Sequence, residues 1–240
     1  MSKFELIAAD IQHSIKDGTL KPGDKLPTVV EFCELYGVSK ITVRRAMERV
    51  AELGLVTSRR GSGTFVKDTD GLPQSMLYSG QMDHASGFTA EHGNKGQQVE
   101  SRIYDFGIEP PSEDIARYLN ISKDDFVYRI CRTRLADGVP IVIEYTYMPI
   151  DLIPGLKKQH LLGSIYSYIH DTLGLTISSF HRTVRAVAST EEEAERLSVQ
   201  PGDPLLELEQ IGFLDNGLAF EYSISRNVGT RYELHNITLG

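Results

Sequence analysis

The chain has 240 residues, 40% of them apolar, and a formal net charge of −8, which suits one large or two modest soluble globular domains. Its two cysteines, Cys33 and Cys131, share no Cys-x-x-Cys spacing, which argues against a disulfide framework or a zinc site. No apolar run reaches membrane-spanning length, and the start, Met1 to Glu5, is too poor in apolar residues for a signal peptide, so the sequence predicts a reducing, cytosolic compartment.

Charge is divided unevenly. Residues 1–67 carry 11 basic against 8 acidic side chains and the remainder 14 against 25, a mildly basic head on an acidic body. Phe4 to Asp17 places Leu6, Ile7, Ile11 and Ile15 at helical spacing, a first helix that Gly18 ends. Pro27 suits the first turn of a second helix, whose stripe would be Phe32 and Leu35 and whose end is Gly37 in a left-handed cap. Ser39 is an N-cap for a third helix, with Val43, Met47, Val50 and Leu53 on one buried face and Thr42, Arg44, Arg45 and Arg49 on the others. Leu55 to Thr57 and Thr64 to Val66 then alternate as two short strands around Arg59-Arg60-Gly61-Ser62-Gly63, a hairpin wing.

A short helix, a glycine turn and a second helix that is basic on its first turns make a helix-turn-helix, whose second helix enters the DNA major groove. Arginines neutralise phosphates and read guanine edges, hydroxyls reach phosphate oxygens, and glycines let a backbone approach the minor groove. Each signal alone is weak; their order and spacing point to DNA.

From residue 67 to 80 there is no period and several breakers, which predicts a winged helix-turn-helix in 1–68, a linker in 69–80 and a second domain in 81–240. In the second domain Ser112 to Ile121 matches Thr190 to Val199 at an offset of 78, each an N-capped helix with early carboxylates. The match runs on through strands Asp125 to Ala136 and Asp203 to Leu214, turns at Asp137-Gly138 and Asp215-Asn216-Gly217, and return strands holding Glu144-Tyr145-Thr146 and Glu221-Tyr222-Ser223. Val99 to Gly107 and Ile177 to Arg185 are the matching leading strands. Two copies predict an α+β fold with a six-stranded, largely antiparallel sheet and helices on one face. The seam between copies offers a cleft for a small ligand. Between them Ser164 caps a helix that Gly174 stops.

On the strand Phe126 to Ala136, alternation puts Phe126, Tyr128, Ile130, Arg132 and Arg134 on one face. Such arginines either pair with a glutamate or offer guanidinium donors to a phosphate or carboxylate. Ser164 at a helix start, where free N–H groups favour an anion, tips the reading to the second. Arg231 and His235 could reach the same pocket from the last strand. No His-Glu-x-x-His, phosphate-loop or Gly-x-Ser-x-Gly pattern occurs, so no catalytic residue, metal ligand or cofactor is expected.

The residues Leu26-Pro27, Gly37-Val38-Ser39, Thr42-Val43-Arg44, Ala46 and Gly61 to Phe65 resemble the winged-helix signature of the GntR family of bacterial transcription regulators. The second domain resembles the ligand-sensing domain of its HutC subfamily, called UTRA, whose fold is similar to chorismate lyase. The resemblance implies DNA contacts from Thr28, Ser39, Lys40, Thr42, Arg44 and Arg45, and from Arg60, Gly61, Ser62 and Gly63 in the wing. It implies a phosphate pocket at Arg132, Arg134, Ser164 and Tyr166, a backbone-donor loop at Phe88 and Thr89, and Glu144 and Glu221 facing the ligand's hydroxyl or amine groups.

Two positions depart from the family pattern. Val29-Val30 stand where an acidic then a basic residue is common, and Asn227 stands where sugar-sensing relatives commonly carry a Tyr. The expectation is a cytoplasmic repressor of carbohydrate genes, a homodimer on palindromic operator DNA with half-sites about one helical turn apart, released by a sugar phosphate. The rival readings are a repressor sensing another small anion, an enzyme of chorismate-lyase-like fold, and a protein-interaction module.

Overall fold

The computed structural model describes residues 2–59, 61–68 and 87–233; the expected linker, 69–80, lies outside them. Three helices, α1 (Lys3–Lys16), α2 (Val29–Tyr36) and α3 (Lys40–Glu52), and a hairpin of β1 (Val56–Arg59) with β2 (Gly63–Val66) form the head. Its core joins Ile7 and Ile11 of α1, Phe32 of α2 and Val43, Ala46 and Val50 of α3 to Val56 and Val66 of the hairpin. The helix starts are set by side chains: Thr28 and Ser39 accept from the N–H groups of Glu31 and Thr42, donors that a helix cannot satisfy internally. Gly37, at φ 61 and ψ 43, closes α2 in the left-handed conformation expected of it.

Three expectations about these helices are corrected. Pro27 precedes the helix instead of entering it, because the reciprocal Thr28–Glu31 capping box starts α2 at Val29. Leu35 is 69% exposed; α2 buries Phe32 and packs Val29, Cys33 and Tyr36 beside it, the spacing that lies on one side of a helix. Leu6 likewise turns outward from α1.

The body is one six-stranded sheet. Its strands are β3 (Val99–Glu109), β4 (Val127–Ala136), β5 (Val139–Pro149), β6 (Ile177–Ala188), β7 (Pro204–Leu214) and β8 (Ala219–Val228), in the order β3-β4-β5-β8-β7-β6. Every neighbouring pair is antiparallel. The succession strand, helix, strand, strand occurs in 99–149 with α5 (Glu113–Leu119) and again in 177–228 with α8 (Glu191–Leu197). β5 and β8 pair at the centre, so the two hairpins lie side by side.

Helices cover both faces of this sheet, not the single face expected. α5 packs over Ile211, Phe213 and Tyr222, and α8 over Cys131, Ile143 and Leu205. On the other face Leu161 of α6 (Lys158–Leu162), Ile165 of α7 (Ile165–Ser167) and Ile169 of a π-helical turn (Tyr168–Thr172) pack on Tyr128, Ile130, Met148 and Phe220. The reason is legible in β4, which buries every residue but Arg129; a strand apolar on both sides needs cover on both. Phe126 lies ahead of β4 and is 52% exposed, so the predicted face keeps only Tyr128, Ile130, Arg132 and Arg134. Among the described residues no helix is long and apolar enough to cross a membrane.

Candidate functional site

The first candidate surface is the outer side of α3. Lys40, Arg44 and Arg45 are exposed there and Thr42 is half-buried, while Val43, Ala46 and Val50 turn into the core. Arg49 is drawn to Glu52 at 3.2 Å. Ser39 and Thr42 bring their hydroxyls within 3.0 Å of each other at the helix start, and Thr28 is committed to capping α2. In the wing tip Gly61 and Gly63 have φ of 76 and 128, a path that bulkier residues would strain. Arg60 lies outside the described residues.

The second is a cavity of about 130 Å³ between the inner sheet face, α4 (Gly87–Asn94) and the start of α7. Eight of the expected ligand residues line it: Phe88, Thr89, Arg132, Arg134, Glu144, Ser164, Tyr166 and Glu221. Phe88 and Thr89 belong to α4 and not to a loop, with Thr89 in the first turn, where N–H groups have no partner within the helix. Ser164 caps α7, its Oγ accepting from the Ser167 N–H at 3.1 Å.

The two arginines divide between the two readings of their pattern. Arg132 donates from Nε to Glu144 at 2.7 Å and from Nη1 to the Leu161 carbonyl at 2.7 Å, a buried ion pair. Arg134, only 2% exposed, donates to the Thr89 hydroxyl at 2.7 Å and lies 4.9 Å over the Phe88 ring. Its Nε has no hydrogen-bond partner among the described residues. Burial, reinforced by the like charge of Arg132, pulls Arg134 down to about 10. Burial works to raise Glu144, but Arg132 and Arg134 outweigh it and hold the carboxyl below its ordinary range.

Across the cavity Glu221 is buried, its Oε1 accepting from Ser223 at 2.6 Å, Gln210 at 2.9 Å and Tyr166 at 3.2 Å. Burial still pushes the Glu221 pKa up despite those three donors, with the charge of Glu144 adding to it. Burial, then the charge of Glu221, raises the Tyr166 hydroxyl well above its ordinary value. The site therefore offers a cation with an unused donor at one end and an anchored acceptor at the other, which suits a small anion bearing hydroxyl or amine groups.

Among the cavity residues that the sequence did not single out are Gln210, Arg182 and Tyr232, and Asn227, noted there only as a departure from the family pattern, lines the cavity too. Gln210 accepts from Arg182 Nε at 2.8 Å while donating to Glu221; it stands 78 residues after Arg132, the same offset already noted, so the signal was present. Arg231 does not reach the cavity. Its guanidinium donates to the carbonyls of Pro140 and Leu197 at 2.8 Å and of Ser198 at 3.1 Å, tying the end of α8 to the β4–β5 hairpin. His235 lies outside the described residues.

A helix-turn-helix with a basic outer face on a winged head, joined to a sheet with a cavity lined by charged and polar side chains, defines a transcription regulator with an effector domain. Residues 4–66 match the family described as bacterial regulatory proteins, gntR family, and residues 94–233 match the UTRA domain. The chain belongs to the GntR family, in its UTRA-containing branch. It is 32% identical to the HTH-type transcriptional regulator GmuR of Bacillus subtilis (strain 168), over 100% of this chain and 99% of that one. The crystal structure of the possible transcriptional regulator YydK from Bacillus subtilis subsp. subtilis str. 168 superposes with a TM-score of 0.60 at 27% identity, covering 100% of both chains. The effector binding domain of the B. subtilis trehalose repressor (TreR) superposes with a TM-score of 0.53 at 29% identity, covering 59% of this chain and 98% of that one. Their names are those of transcriptional regulators and a repressor.

Proposed function

We propose that the chain is a repressor of carbohydrate-utilisation genes that binds a palindromic operator as a homodimer and is released by a phosphorylated sugar. The observation that carries this reading is Arg134: a buried guanidinium that feels the charge of Glu144 but has no carboxylate within ion-pair distance among the described residues, its Nε unused, in a cavity whose far wall is the acceptor Glu221. Leaving such a donor buried and unmade costs free energy, and a ligand anion recovers it. Ser164 and Thr89 add hydroxyls beside that position, and Glu144, Glu221 and Asn227 supply partners for ring hydroxyls. The relationship to a trehalose repressor's effector domain supports a carbohydrate.

In the head, Lys40, Arg44 and Arg45 supply the charge for a phosphate backbone and the donors for guanine edges. A single head offers too few contacts for a specific site, which favours two heads on a two-fold operator. Calorimetric titration of the purified chain with a panel of phosphorylated and unphosphorylated sugars tests the effector. A phosphosugar should bind while its unphosphorylated parent does not; indifference to the phosphate would overturn the reading.

A further inference from the structure

We propose that β6 is shared between the effector cavity and a latch that seats the head on the body, through the consecutive residues Arg182 and His181. The cavity half of this inference rests on the reading above; the latch half rests on geometry alone. Consecutive residues of a strand point to opposite faces. Arg182 lines the cavity and is tied through Gln210 to Glu221. His181 faces the other way, its ring 4.8 Å from Phe213 and its Nε2 3.0 Å from the carbonyl oxygen of Gly54, in the head.

The seat is shaped for this contact. Gly54 has φ of 72, and a Cβ there would fall 2.6 Å from the His181 ring, so only glycine lets the imidazole donate to that carbonyl. Lys67, at the end of the head, lies over Phe213 at 5.3 Å, and its ammonium comes within 3.5 Å of His181. Further along, the Thr57 hydroxyl meets that of Ser178, and Arg59 pairs with Asp215 at 3.1 Å.

Two features make the seat releasable. It buries the Lys67 ammonium with no carboxylate partner among the described residues, and burial pulls that group down to about 8 and His181 down to about 3. It also leaves His181 Nδ1 buried without a partner among the described residues. Such an interface forfeits stabilisation that a better paired one would keep. A change at Arg182, or at Glu221 of β8 through Gln210, reaches β6 on the face opposite His181, so cavity and seat bias one element.

The test is disulfide trapping in the full chain, with Thr57→Cys and Ser178→Cys introduced in a Cys33→Ser background and no sugar or DNA present. The pair should cross-link under mild oxidation, with the bond located by peptide mass mapping. His181→Ala, and on the cavity side Arg182→Ala, should each slow trapping about fivefold or more, while Arg129→Ala on the outer face should not. If Arg182→Ala does not fold, as judged by circular dichroism, Gln210→Leu supplies the same comparison. Failure of the pair to cross-link, or cavity-side variants that trap at the rate of Arg129→Ala, overturns the proposal. The assay contains no effector, so its outcome is separate from that of the phosphosugar titration.

Discussion

Replacing Arg134 with Met should weaken the effector while leaving the unliganded fold as stable as before or more so. Burial pulls Arg134 from 12.5 down to about 10, and at about 1.4 kcal/mol per tenfold the charged form costs the folded state roughly 3 kcal/mol. Against this stand one hydrogen bond to Thr89 and the stacking on Phe88, together about 2 kcal/mol. Methionine fills much of the same volume without the charge, so the net change should lie between zero and about 2 kcal/mol in favour of folding, or a few degrees in Tm. A ligand anion, however, loses a charge-assisted bond of about 1.5–3 kcal/mol, which is roughly a 10- to 150-fold weaker Kd. Thermal unfolding without ligand and calorimetry with the phosphosugar read the two effects separately. A Tm that falls by several degrees would show that Arg134 is a structural residue, and an unchanged Kd would remove it from the ligand site.

Arg44→Ala should weaken operator binding by roughly 1–3 kcal/mol if the guanidinium reads a base, without altering effector affinity, as fluorescence anisotropy of a labelled duplex would report. Arg231→Ala should do the reverse of Arg134→Met: removing three carbonyl contacts should cost about 2–3 kcal/mol of stability, measured by urea unfolding, with Kd for the effector retained. The latch has its own pH signature. His181 is held at about 3, below its ordinary 6.5, by burial first and the charge of Lys67 second, so the folded state binds fewer protons than the unfolded one and its contribution is full above 6.5 and is lost as pH falls towards 3. A carbon-13 titration of the imidazole should find His181 still neutral at about pH 4.5; titration near its ordinary value would mean that the seat is open in solution.

Most of the head was legible because its chemistry is local. Caps at Thr28 and Ser39, the left-handed Gly37 and the single-sided apolar face of α3 each act within one turn of chain, and the structure places them as read. Leu35 failed because one apolar residue at helical spacing does not say which of two sides is buried; Val29, Cys33 and Tyr36 form the better set. In the body the strands and turns followed from alternation and Asp-Gly chemistry, but cover on both sheet faces did not, although the unbroken burial of β4 implies it. Arg231 looked like a pocket residue because a sequence cannot say which carbonyls will surround a guanidinium. The contacts between head and body, such as Gly54 with His181, link residues more than a hundred positions apart and left no pattern to read.

The central claim is that occupancy of the body's cavity changes the affinity of the head for DNA. The direct measurement is a titration of the intact chain into a labelled duplex from upstream of its own gene, at fixed salt, with and without the phosphosugar selected by calorimetry. The account predicts that the sugar weakens DNA binding by tenfold or more, a coupling of about 1.4 kcal/mol, and that Arg134→Met raises the sugar concentration needed for this effect by roughly the same 10- to 150-fold as its Kd. Equal affinity with and without the bound sugar would contradict it.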